Sequence, residues 1–223
     1  MSKKSSIIHH PSSINQLALI ISRLSDPVWL IPAMLAAAVA WSIFNGLRWR
    51  FILVLLLIDG LIPALYFVHL LRTGEISDWD TTKRQQRIKL YAATLIIHAV
   101  GVVFAWAVGK IVLAKILAAF WFLAVAYTLV TLFWKISLHT GVFATAVTFA
   151  AALWGRNWLW LAALLPVIAW ARLRLKKHTP AQVVIGAILG PAILLTLFNL
   201  LNINRSQIKA PSQQGIFIKT LEH

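Results

Sequence analysis

No cysteine occurs in the 223 residues. Disulfides, thiolate nucleophiles and cysteine-ligated metal sites are therefore excluded. Charge is scarce too: 12% of residues are charged, against about 25% in a soluble domain. Acids are scarcest, with six Asp+Glu, too few for the two richly acidic loops that a metal-diphosphate site needs. What fills the chain instead is oil. Hydrophobic residues make up 60%, more than one core of this size can hide, and this implies an integral membrane protein. The 21 Lys+Arg give a net charge of +15. They fall mostly in short gaps between oily runs, which suits phospholipid headgroups or another interfacial anion. No polar domain exists to carry a basic face for nucleic acid.

The expected fold is all-α: a polytopic membrane helix bundle of six to seven transmembrane helices, with an N-terminal interfacial helix. Seven hydrophobic stretches lie near 28–45, 51–71, 90–109, 111–134, 138–154, 158–175 and 181–203. Roughly 20 apolar residues cross a bilayer as a helix, and no barrel-type alternation appears. Residues 1–27 form an N-terminal segment whose Ile14–Pro27 stretch reads as a helix in the interface, stopped by Ser25-Asp26-Pro27. Residues 28–203 form a single membrane domain. Residues 204–223 form a polar tail, and its Leu221-Glu222-His223 ending reads as a tag scar. Lys3 and Lys4 precede no cleavage pattern, so no removable signal peptide is expected. The expected location is multi-pass in a cell (inner) membrane. Loop charge leaves orientation open, because the positive-inside reading reverses once the two densest cationic clusters are set aside.

Three polar clusters are separated by two spans each, so all return to one membrane face, called here the first face. They are "GEISDWDTTKRQQRIKLY" (74–91), "WKISLHT" (134–140) and "ARLRLKKHTPAQ" (171–182). The last packs Arg172, Arg174, Lys176, Lys177 and His178 together. The bland reading is a cationic collar snorkelling to headgroups, favoured for Lys176 or Lys177 taken alone. Asp78 and Asp80 are placed to pair with neighbouring cations and hold them for an anion. Asp59, within the second span, is expected to pair with Lys115. His69 and His98 read as packed histidines.

The third cluster resembles the last motif of the type 2 phosphatidic-acid phosphatase superfamily: Ser-Arg, five residues, His, three residues, Asp. Here Ala171-Arg172 is followed at that spacing by His178 and then Gln182. Arg and His are kept, while Ala replaces Ser and Gln replaces Asp. Gly186 and Gly190 then open the final span, as is frequent in this family. Ile136-Ser137-Leu138-His139 resembles the family's Pro-Ser-Gly-His, keeping Ser and His. The first motif, Lys, six residues, Arg-Pro, is echoed only by Lys83-Arg84 and Arg87. The two better motifs cover about residues 134–203, and the chain looks like a divergent branch.

The resemblance implies a metal-independent phosphoric ester hydrolase with no cofactor, acting on a lipid phosphate held in the bilayer. His178 would attack phosphorus to give a phosphohistidine. His139 would protonate the leaving alkoxide and then activate water. Arg172, Ser137, Lys83, Arg84 and Arg87 would spread the phosphate charge. Gln182 would accept the other ring N–H of His178 without adding the charge of an Asp, which implies a slower enzyme. Neighbouring cations are expected to keep His178 neutral. Phosphatidate-like, phosphatidylglycerophosphate-like and polyprenyl phosphates all fit. A lipid phosphotransferase using the same site, a non-catalytic lipid-phosphate binder and a transporter are the rival readings.

Overall fold

The computed structural model describes residues 13–204. All regular elements among them are helical. The chain is an all-α polytopic helix bundle, and five of its helical stretches are long and apolar enough to cross a membrane. The parts of residues 1–27 and of the polar tail that precede Ser13 or follow Asn204 lie outside the described residues.

Helix α1 (Ser13–Leu24) leads into α2 (Pro27–Ser42) through Asp26, whose Oδ1 accepts the Val28 N–H at 3.1 Å while Pro27 takes the first helical position. This is an ordinary helix start, with the cap satisfying one N–H that has no partner within the helix. Helices α3 (Arg48–Leu55) and α4 (Ile62–Arg72) form one rod with a π-helical stretch, Leu56–Leu61, between them. Pro63 has no N–H to return to the Asp59 carbonyl, so the regular ladder lapses there. Helices α5 (Arg84–Ala107) and α6 (Ile111–Phe133) form the longest hairpin. Helix α7 (Leu138–Trp154) follows, then a 3₁₀ stretch (Arg156–Leu164), α8 (Leu165–Arg174) and α9 (Pro180–Leu200). The 3₁₀ stretch rises about 2.0 Å per residue and α8 about 1.5 Å. Together they reach about 33 Å, enough to match a hydrocarbon core of about 30 Å. All seven expected spans therefore correspond to helical rods.

The bundle is apolar inside and out. Leu35, Val39, Ile116, Leu117, Phe149 and Leu194 form part of its core, whereas Leu65, Ile96, Val103, Trp106 and Phe133 are exposed. Lipid, not water, satisfies such a surface. Because lipid gives helices no hydrophobic reason to associate, close backbone approach matters more. Helices α7 and α9 meet on glycine. A Cβ at Gly186 would fall 2.6 Å from the Ser137 carbonyl oxygen, and one at Gly141 would fall 2.2 Å from the Tyr127 hydroxyl. The Thr140 hydroxyl donates across the same seam to the Val183 carbonyl at 3.1 Å. This seam sets the start of α7 beside the start of α9.

Substituting Gly186→Ala drives a methyl into backbone that cannot yield. The expected outcome is a loss of about 1–3 kcal/mol, read as a lower thermal unfolding midpoint in detergent, whereas Ala187→Gly on the same helix changes it less.

Candidate functional site

The three first-face clusters are laced together. Arg87 of α5 is buried, and its guanidinium donates to the carbonyls of Thr81 (2.9 Å), Ile136 (3.1 Å) and Asp80 (3.4 Å). Lys135 donates to the Lys177 carbonyl at 2.6 Å, and the Ser137 N–H to the Gln182 carbonyl at 3.2 Å. Lys177 reaches Asp80 at 3.2 Å, Asp78 at 3.9 Å and the Thr82 hydroxyl at 3.0 Å. Lys177 therefore ties the 73–83 loop to the joint between α8 and α9. It is no headgroup collar.

At the centre stands Arg172, with 1% of its surface exposed. Its Nη1 donates to the Ser22 hydroxyl at 2.5 Å and lies 3.4 Å from both Asp80 Oδ1 and His139 Nε2. The two Nη1 hydrogens serve the Ser22 hydroxyl and the Asp80 carboxylate, with His139 Nε2 alongside. The opposite edge is different: Nε is buried with no hydrogen-bond partner. Nε and Nη2 form the fork that matches two oxygens of one oxyanion. A buried guanidinium N–H without an acceptor is uncommon and costly.

His178 and His139 line the same cavity as Arg172. Gln182 completes a capping box at the start of α9: its N–H donates to the Thr179 hydroxyl, and its Oε1 accepts the Thr179 N–H at 3.2 Å. That second bond fixes which end of the amide is oxygen. The same Oε1 lies 3.1 Å from His178 Nδ1. Nδ1 must therefore carry the proton, leaving the Nε2 lone pair free. Burial first, then the charges of Arg172, Arg87 and Lys135, push the His178 imidazole down to about 3. The ring is neutral, as a nucleophile requires. Burial also lowers Lys135, with Arg87, Arg172 and Lys177 acting the same way. For Asp80, burial works upward, but Arg172 and Lys177 outweigh it and hold the carboxylate below its ordinary range.

The other expected residues divide. Arg87 lines the cavity as a brace with all its nitrogens on backbone carbonyls. Ser137 is fully buried with its Oγ unpartnered, yet it stands behind the cavity wall. Arg84 is outside the cavity and donates to the Thr131 and Leu132 carbonyls that end α6. Lys83 is exposed, at the cap position of α5, also outside the cavity. Asp59 is not paired with Lys115. The π stretch turns it to α5, where its Oδ1 lies 2.8 Å from His98 Nδ1.

The sequence alone did not single out Asp26 or Ser22. Asp26 Oδ2 accepts from the Trp79 indole at 3.2 Å, lies 3.6 Å from Arg23 Nη1, and stands 4.0 Å from His139 Nε2. Its helix-start role masked this second one. The available signal was rarity, since an acid is an expensive residue in so oily a chain.

The depressed His178 value makes stability pH-dependent. Between the ordinary 6.5 and about 3, the unfolded chain binds a proton that the folded one refuses. Stability is therefore complete above about pH 6.5 and falls as pH drops toward 3. Asp80 adds loss in the same direction at the acid end. Denaturation midpoints measured from pH 7 to pH 4 should fall, with a shallower slope in His178→Gln.

No protein-family model, no curated protein and no solved structure matches the chain, which leaves the meaning of this site to its own geometry.

Proposed function

We propose that the protein is a membrane-integral lipid phosphate phosphatase of the type 2 phosphatidic-acid phosphatase kind. The single observation that carries this reading is the convergence of Arg172, buried with its Nε unpartnered, and two histidines on one cavity. Phosphomonoesters resist attack because their oxygens repel a nucleophile, and fixed cations lower that barrier. Arg172 would take two phosphate oxygens, with Arg87, Lys135 and Lys177 supplying the surrounding field. His178 Nε2 would then bond to phosphorus as the bond from phosphorus to the lipid oxygen breaks. His139, entering the step protonated on both ring nitrogens, would hand one proton to the departing alkoxide and become neutral. Asp26, 4.0 Å from His139 Nε2, offers the negative charge that an imidazolium needs. In the second half His139 would take a proton from water, whose oxygen attacks phosphorus and releases His178 and inorganic phosphate.

Metal-free phosphate release from lipid phosphates in detergent tests this reading. His178→Ala is expected to lose at least about 10³-fold in rate, and labelled phosphate should be trapped on His178 in the parent protein. Gln182 favours one second reading, a non-catalytic lipid-phosphate binder, which predicts no trapped label.

A separate variant tests the role of Gln182. In a Ser-His-Asp triad, losing the equivalent charge costs about 10⁴, largely through the wrong tautomer. Here Thr179 and Gln182 already fix the tautomer, so only the charge is missing. Gln182→Glu keeps the capping box and should raise kcat by roughly tenfold. Unchanged or lower activity in a folded variant would remove Gln182 from the mechanism.

A further inference from the structure

The cavity does not end at the phosphate site. It has a volume of about 380 Å³ and continues between α2, α4, α5 and α6 to Asp59 and His98. At 1.5 Å per residue, His98 lies about 16 Å along α5 from Arg87, where the lining of that helix begins. That exceeds the roughly 15 Å depth of one leaflet's hydrocarbon. Between these ends the lining is mostly apolar, with Leu35, Pro63, Leu90, Leu95 and Leu123 among its residues, which suits a hydrocarbon chain.

The slot has a floor and a side opening. His98 Nε2 lies 3.1 Å from the Leu117 carbonyl, which can only accept, so Nε2 carries a hydrogen. The 2.8 Å contact of Nδ1 with Asp59 Oδ1 then shares one further proton. Asp59, His98 and Leu117 thus tie the π stretch, α5 and α6 together across the inner end. Gly101 lets Asp59 sit there, since a Cβ on it would meet Asp59 Oδ2 at 2.7 Å. Nearer the first face, α4 packs on α5 and α2 on α6 and α7. Val28 and Ile31 of α2 and Ala64 of α4 line the cavity and are exposed as well. A lipid tail can pass sideways from the bilayer between α2 and α4.

We infer that the slot holds one straight acyl or alkyl chain of the substrate and measures its length, with the Asp59–His98 pair as the stop. This rests on the phosphatase reading for the headgroup and ranks the lipids that reading leaves equal. Straight chains up to leaflet depth fit, whereas long polyprenyl chains overrun the stop. A slot no more apolar than lipid gains little per methylene, so the rate should be level with length and then break. A methylene that does not fit is expected to cost about tenfold or more.

The experiment compares single-chain alkyl phosphates from 10 to 24 carbons and an eleven-unit polyprenyl phosphate, all in detergent. Phosphate release should hold level to roughly 12–14 carbons, the extended length matching the slot and the depth of one leaflet, fall about tenfold beyond, and be lowest for the polyprenyl phosphate. Ala124→Phe, which fills the slot part-way down from the α6 end, should move the break several carbons shorter. His98→Ala should move it longer where that variant folds. Thermal stabilisation of His178→Ala by the same panel reads the slot without catalysis. Length-dependent stabilisation with no release from any lipid would keep the slot and sink the phosphatase. Release independent of length, with Ala124→Phe unchanged, would overturn the slot.

Discussion

A guanidinium buried at the edge of the membrane bundle sets the terms for the rest of the molecule. Arg172 is almost wholly withdrawn from solvent, and an uncompensated charge there would cost several kcal/mol. Its compensation comes from separate parts of the chain: Ser22 on α1, Asp80 in the 73–83 loop and His139 on α7. Each partner is held by something else. Asp80 is shared with Lys177, and its loop is braced by Arg87. Helix α1 packs along α8 and so carries Ser22 inward. The reading of α1 as a helix lying in the interface says nothing of this contact, because a hydroxyl at an amphipathic helix end gives no sign in sequence of a partner 150 positions away.

The same dependence explains what was legible in the sequence. Spans were legible because lipid forces a long apolar run on each crossing, and parity alone then placed residues 74–91, 134–140 and 171–182 on one face. The spacing of Arg172, His178 and Gln182 was legible because a helix end, a short turn and a capping box keep those residues local. Individual cation roles were not. Lys83, Arg84, Arg87, Lys135 and Lys177 are alike in composition, but only the fold decides which of them meets a carbonyl, a carboxylate or the cavity. Arg84 went to the end of α6, and Lys177 went to Asp80. Asp59 was legible as costly but not as the partner of His98, since a π stretch shifts the side-chain phase on which such a pairing estimate relies.

Gln182 shows how one substitution can be read two ways until its neighbours are known. As a replacement for a carboxylate it looks like a loss. In the capping box it is a fixed acceptor, held by the Thr179 N–H, that selects one tautomer of His178. Orientation and charge are separable contributions of an acceptor beside an imidazole, and Gln182 supplies the first without the second.

Acids are so few that their placement carries information. Every acid among the described residues has a cationic or histidine partner: Asp26 with Arg23, Asp59 with His98, Glu75 with Lys89, and Asp78 and Asp80 with Lys177, Asp80 also with Arg172. Toward the first face the cavity is lined by Arg87 and Arg172 against Asp26 and Asp80, with Lys135 and Lys177 bonded to the same segments outside its lining. Unpaired buried charge is destabilising, so each of these carboxylates is worth its place. Asp80, shared between Arg172 and Lys177, then acts less as ballast than as a frame that keeps Arg172 in place.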